Sequence, residues 1–203
     1  MAFIKKASLP QVANDGPENS LAEDLSKLSD ENADTRRHAV HDLAAFPEAV
    51  QPLCDRLALE QDVAVRTTIL TALIKIGVPQ AVECLIPYLG SENVALRNDV
   101  IVALQQMQQL ALPLVEKLLE NPDTDIRIFA INILAGIHDL HVPALLMHVI
   151  EHDSHINVWS AAIEAIAEIG TPEMVPAIQA SLQRFDTVYA RFAVQFAVQR
   201  ING

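Results

Sequence analysis

The sequence predicts an all-α solenoid built from six stacked helical hairpins. One segment type recurs at a nearly constant interval, its apolar positions keep helical spacing, and a helix-capping residue type returns with the same period. Composition agrees. The 203 residues are 51% hydrophobic but only 4% aromatic, so Leu, Ile, Val and Ala must build the core. Six glycines are few, and no long apolar–polar alternation marks a strand.

Five segments align on one helix start: 62–77, 93–108, 123–138, 155–170 and 187–202, with 32–47 completing the set. Their fifth position reads Arg36, Arg66, Arg97, Arg127, Trp159 and Arg191, in steps of 30, 31, 30, 32 and 32 residues. Within one unit Val65, Ile69, Leu73 and Ile76 fall on one helix face. Leu96, Val100, Leu104 and Met107, then Ile126, Ala130, Leu134 and Ile137, repeat the stripe. A single hairpin cannot bury such a stripe, whereas stacked neighbours share a continuous core.

Four positions before each fifth-position residue stand Asn32, Asp62, Asn93, Asp123, His155 and Thr187. Five of these six types accept a hydrogen bond from the free amides of a helix start. At the exception, His155, Ser154 is the expected cap. A shorter helix precedes each of these, over 48–59, 79–90, 110–120, 141–151 and 172–183, and the first unit opens at about Ser20. Pro79 and Pro172 suit helix starts. Pro52, Pro87, Pro113, Pro143 and Pro176 recur inside the shorter helices, and several should bend them. Residues 1–19, interrupted by Pro and Gly, read as a flexible arm, and 20–203 as one solenoid domain.

The formal net charge of −12 disfavours nucleic acid and anionic membrane as general partners. Cys54 and Cys84 make no disulfide framework and lack metal-site spacing, so both are expected as buried, reduced thiols. The start shows no apolar run of secretory length and no segment approaches a membrane span, which points to the cytoplasm.

A cap Asp or Asn, then V-x-V-R, then an Ala/Leu run ending in I-G resembles the HEAT repeat. The 30–32-residue unit is similar to the short HEAT-like repeats of phycobilisome bilin lyases, over about nine tenths of the chain. The resemblance implies a right-handed α–α superhelix of about six HEAT-like hairpins. It also implies that Arg66, Arg97 and Arg127, with Asp62, Asn93 and Asp123, link successive repeats, with acidic neighbours supplied to the arginines. An exposed Arg ladder binding anions is the competing idea. Trp159 departs from the column and either packs between repeats, the favoured reading, or faces the groove as an aromatic anchor.

In HEAT solenoids the second helix of each hairpin lines the concave side. One exposed column then reads His41, Thr71, Val102, Asn132, Glu164 and Gln195. At its centre Val102, Ile128 and Phe129 put apolar bulk on that face, with Asn98, Asp99 and Asn132 as hydrogen-bonding rim. Gly136 would let a partner backbone approach. These six residues are the expected partner-binding site for an amphipathic helix or extended peptide, unless Ile128 and Phe129 are buried against the next repeat. Phe192 and Phe196 could seal the core or pair with another chain.

His148 and His152 share a helix face, but no third ligand is evident and no metal is expected. No His-Glu dipeptide of the deoxyhypusine hydroxylase type occurs, and no catalytic set or cofactor cradle stands out. The expected function is a non-catalytic scaffold or adaptor for a protein partner. A bilin-lyase-like or chaperone-like protein and a regulatory signalling subunit are the alternatives. Within the arm, Phe3, Ile4, Lys5 and Lys6 form a small apolar–basic motif that reads either as a docking peptide or as part of a plain tail.

Overall fold

Twelve helices in six hairpins follow from the period. The computed structural model describes residues 17–203. The pairs are α1 (Pro17–Lys27) with α2 (Ala33–Leu43), α3 (Val50–Leu59) with α4 (Val63–Ile76), and α5 (Pro79–Leu85) with α6 (Val94–Gln106). Next come α7 (Gln108–Leu118) with α8 (Thr124–Ala135), α9 (Val142–His152) with α10 (Ile156–Ile169), and α11 (Val175–Ala180) with α12 (Val188–Asn202). Helix α1 begins at Pro17, three residues inside the span expected for the arm, and residues 1–16 lie outside the described residues.

Even-numbered helices pack on one another in chain order and form one layer of the solenoid. In the other layer α3 packs on α5, α5 on α7, and α9 on α11. Between them runs one apolar core, from Leu28 in the first hairpin to Ala197 in the last. The repeated stripe supplies it: Val65, Ile69 and Leu73, then Leu96, Val100, Leu104 and Met107, then Ala130, Leu134 and Ile137 are buried. Ile76 and Ile126, at the ends of their stripes, are only partly covered.

The caps explain where each even-numbered helix starts. Side chains of Asn32, Asp62, Asn93, Asp123 and Thr187 accept from backbone amides in the first turn of their helices. At the fifth unit the expected substitute, Ser154, is not used. His155 caps α10 itself, its Nδ1 accepting from the Asn157 amide at 3.3 Å. An unprotonated ring nitrogen reaches the amide two residues on, as an Asn oxygen does. Gly77 ends α4 in the left-handed region (φ 61°), its amide donating to the Leu73 carbonyl.

Proline shapes the odd-numbered layer. Pro87 has no amide to continue α5, and the chain tightens into a 3-10 turn over Ile86–Gly90. Pro113 is accommodated inside α7, whereas Pro143 and Pro176 fall at the starts of α9 and α11, where nothing is lost.

The cysteines are not free thiols. Cys54 on α3 and Cys84 on α5 form a disulfide across 30 residues, with Cα atoms 6.2 Å apart. Their separation equals one repeat, so the two positions stack directly over each other. That geometry follows from the solenoid and not from any cysteine motif. Among the described residues no helix is long and apolar enough to cross a membrane.

Candidate functional site

Each repeat junction is built on the residue two positions before a cap. At the first junction Arg36 donates from Nε and Nη2 to the two carboxylate oxygens of Glu60, at 2.8 Å each. Arg56 donates to Glu60 as well, and the amides of Gln61 and Asp62 donate to its Oε1. Burial alone would raise the Glu60 carboxyl. The Arg36 hydrogen bonds, the Asp62 amide and Arg56 together overcome it and hold the group at about 2. At the fourth junction Arg127 donates from Nε to Asp153 at 2.8 Å.

Between these two the acid is missing. Ser91 and Asn121 stand where Glu60 and Asp153 stand, so the acidic neighbours expected at Arg66 and Arg97 are not supplied. Ser91 and Asn121 still accept from the amides of the caps Asn93 and Asp123, so the loop keeps its shape while the charge is lost. Arg66 is 8% exposed and makes no ion pair among the described residues, and the Nε atoms of Arg66 and Arg97 have no hydrogen-bond partner there. Arg97 lies over the Phe129 ring instead, 4.9 Å from its centroid. Asp62, Asn93 and Asp123 direct their side-chain hydrogen bonds to their own helices and not to a neighbouring repeat.

The fifth junction replaces both partners. Trp159 is fully buried, its ring 5.3 Å from that of Phe185, and its Nε1 donates to Ser181 at 3.0 Å. An aromatic pair thus fills the place of a salt bridge, and the ring is unavailable as a groove anchor.

The open face of the even-numbered layer carries the expected columns. His41, Thr71, Val102, Asn132 and Glu164 are all exposed. In the last hairpin the residue in register, five beyond Arg191, is Phe196 and not Gln195. A shallow groove of about 160 Å³ between α4 and α6 is lined by Thr67, Thr71, Asp99, Val102 and Gln106. Val102 is 50% exposed there, with Asn98 and Asp99 open to solvent beside it. Ile128 and Phe129 are half-buried against the core, and Phe129 serves as the platform under Arg97. The approach at Gly136 is already filled. Gln105 donates to the Asn132 carbonyl at 2.9 Å, and its side chain lies where a Cβ on Gly136 would meet it at 2.4 Å.

A larger groove of about 420 Å³ opens between α10 and α12. Tyr189, Phe192 and Phe196 form one wall, and Ile163, Glu164 and Glu168 the other. The three aromatics are 52%, 67% and 46% exposed, more apolar surface than the centre offers. Tyr189 is fixed by a 2.6 Å hydrogen bond between its hydroxyl and Ser160, and Arg200 pairs with Glu168.

A family model for HEAT repeats matches residues 21–109 and 111–198. The chain belongs to the HEAT repeat family. No curated protein matches it in sequence. An archaeal HEAT-like repeat protein from Thermococcus onnurineus NA1 is 14% identical with a TM-score of 0.44, covering 91% of this chain and 88% of that one. The CpcE–CpcF complex of phycocyanin lyase from Nostoc sp. PCC7120 is 16% identical with a TM-score of 0.38, covering 98% and 100%. A designed armadillo repeat protein is 18% identical with a TM-score of 0.41, covering 90% and 100%.

On this HEAT solenoid, the histidine pair belongs to the odd-numbered layer. The His148 and His152 rings stack 4.3 Å apart beside a cavity of about 480 Å³ that also has Glu116, Glu120 and Asp153 in its lining. No three His, Cys, Asp or Glu side chains among the described residues are placed to hold a metal ion. Phe192 and Phe196 stand out in the sequence as residues able to pair with another chain, but with Gln195 in the exposed column they are not joined to Glu164 across the α10–α12 groove. Counting five from Arg191 puts Phe196 beside Glu164 and exposes the groove in the sequence itself.

Proposed function

We propose that this HEAT protein is a non-catalytic scaffold or adaptor that holds a helix or extended segment of another protein along its concave face. Asn98, Asp99, Val102 and Asn132 contact the partner directly, with Ile128 and Phe129 forming the half-buried floor. The observation that carries this reading is the placement of exposed apolar side chains. Val102, Tyr189, Phe192 and Phe196 lie in grooves between successive even-numbered helices, where a bound segment would touch several repeats at once. The arginine column with Asp62, Asn93 and Asp123 sets repeat geometry, and thereby the spacing of the grooves, and does not itself bind the partner.

A photo-crosslinking amino acid placed at position 102 or 132 tests the reading against one at Gln51, which is exposed on α3. Expressed in the source cells, the groove variants should each crosslink one and the same protein, and the Gln51 variant should not. Equal yields from both faces, or none from the groove, would overturn the assignment.

A further inference from the structure

The α10–α12 groove has a wall of three exposed aromatics and a carboxylate rim. Glu168 is paired with Arg200, and Asp186 with Arg191, whereas Glu164 has no ion pair among the described residues. An occupant needs an apolar side chain to lie on Phe192 and Phe196 and an adjacent cation to meet Glu164. The chain carries such a segment outside the described residues. Phe3 and Ile4 are followed directly by Lys5 and Lys6, which are two of its five lysines.

Reach decides whose segment it is. Eleven steps separate Lys6 from Pro17, where α1 begins, and a fully stretched chain covers about 36–40 Å over that length. Glu164 lies on α10, four helix-to-helix steps from α2 along the even-numbered layer, which at roughly 8–10 Å each come to about 32–40 Å, close to the whole reach of the arm. Docking within one molecule would demand a taut arm. Docking onto a neighbour demands nothing of the kind.

We propose that the Phe3–Lys6 segment of a second copy docks in the α10–α12 groove, with its aromatic and aliphatic side chains on Phe192 and Phe196 and its lysines at Glu164. This takes the last of the grooves named for the scaffold reading and goes beyond that reading in its occupant, a segment of the chain itself, while the central groove tested at positions 102 and 132 is left open. Because the donor segment and the acceptor groove lie at opposite ends of the solenoid, the contact is head-to-tail. It closes as a reciprocal two-fold exchange of arms or propagates as rings or short chains.

Sedimentation velocity on the full chain, from micromolar to near-millimolar concentration and in low and high salt, is the test. Wild type should self-associate with concentration and weaken in salt. Lys5→Glu/Lys6→Glu and, separately, Phe192→Ser should each weaken association at least tenfold. Position 192 is exposed enough for the melting curve of its variant to stay unchanged. Adding Glu164→Lys to the double lysine variant should restore association by exchanging the charges. A chain monomeric at every concentration, association indifferent to these variants, or failure of the charge exchange would each overturn the proposal. A monomer whose arm protects Phe192 from surface labelling would show the segment acting within its own molecule, and would equally overturn it.

Discussion

Arg36 and Glu60 meet across the first repeat junction as a two-pronged pair, each carboxylate oxygen taking one guanidinium N–H at 2.8 Å. Both are buried, with Glu60 3% exposed. In a solenoid, contacts between neighbouring repeats carry the cooperativity, and a planar fork fixes their relative angle more tightly than an apolar contact does. Moving the two charges out of water offsets much of their attraction, so the pair adds less net stability than its geometry suggests. Breaking it is another matter, because one charge is then left buried alone.

Glu60→Ala should therefore cost about 3–5 kcal/mol in urea denaturation. Replacing both partners, Arg36→Met with Glu60→Leu, should cost markedly less, since no buried charge remains. Equal losses for the single and double replacements would mean that packing, and not charge, dominates at this junction.

The same carboxylate gives the protein an acid limb. Its folded value of about 2 lies below the ordinary Glu value near 4.5. On acidification the unfolded chain takes up the proton first. The contribution is thus complete above pH 5 and is lost as pH falls through about 2. A shift of that size corresponds to on the order of 3 kcal/mol. Glu60→Gln should be less stable at pH 7 and should lose less than wild type between pH 5 and 2. Urea midpoints of the two proteins at several pH values measure the difference.

Ser91→Asp should raise stability by about 1–2 kcal/mol by giving the buried Arg66 guanidinium the carboxylate that Arg36 and Arg127 have. The aspartate would retain the acceptor that now takes the Asn93 amide. Ser91→Asn is the matched control, with the same loop acceptor and no charge. If the two variants melt together, Arg66 does not reach the substituted side chain.

Much of the architecture is legible because period and stripe are one-dimensional. Arg36, Arg66, Arg97 and Arg127 keep register over four units, and their stripes bury as the spacing implies. The junction chemistry is less legible, because it depends on a second column, Glu60, Ser91, Asn121 and Asp153, whose residues differ in charge although each accepts the same cap amide. Phe129 shows the consequence. Without an acid at Asn121, Arg97 takes the ring as its platform, and a residue that looked free for a partner is partly occupied from within. The disulfide was hidden for a related reason: 30 residues is a long separation in sequence and a direct neighbour in the stack.

Reducing Cys54–Cys84 should destabilise the fold by about 3–4 kcal/mol, the chain-entropy value for a loop of that size. Cys54→Ser/Cys84→Ser should match the reduced protein, and reductant should have no effect on it. Alkylation and intact-mass measurement on protein taken directly from cells would give the oxidised fraction. A largely oxidised pair marks an oxidising environment, and a reduced pair fits the cytoplasmic expectation.

Trp159 is the only tryptophan and reports on the fifth junction alone. Buried against Phe185 with its indole N–H satisfied, it should emit at short wavelength in the folded protein and shift red on exposure. Repeat arrays can lose cooperativity end by end, and α11, which packs on α12 at this junction, spans only six residues. Fluorescence should therefore change at lower urea than circular dichroism, which averages over the helices of every repeat. Trp159→Phe removes the donor to Ser181 and part of the ring while leaving the Arg36 junction untouched. It should lower the stability of the last repeats by about 1–3 kcal/mol and separate the unfolding of the two ends further. Hydrogen exchange would show which end opens first. Coincident fluorescence and dichroism curves in wild type, with uniform protection loss in Trp159→Phe, would mean that the solenoid unfolds as one unit and that the aromatic junction couples its neighbours as firmly as Arg36 and Glu60 do.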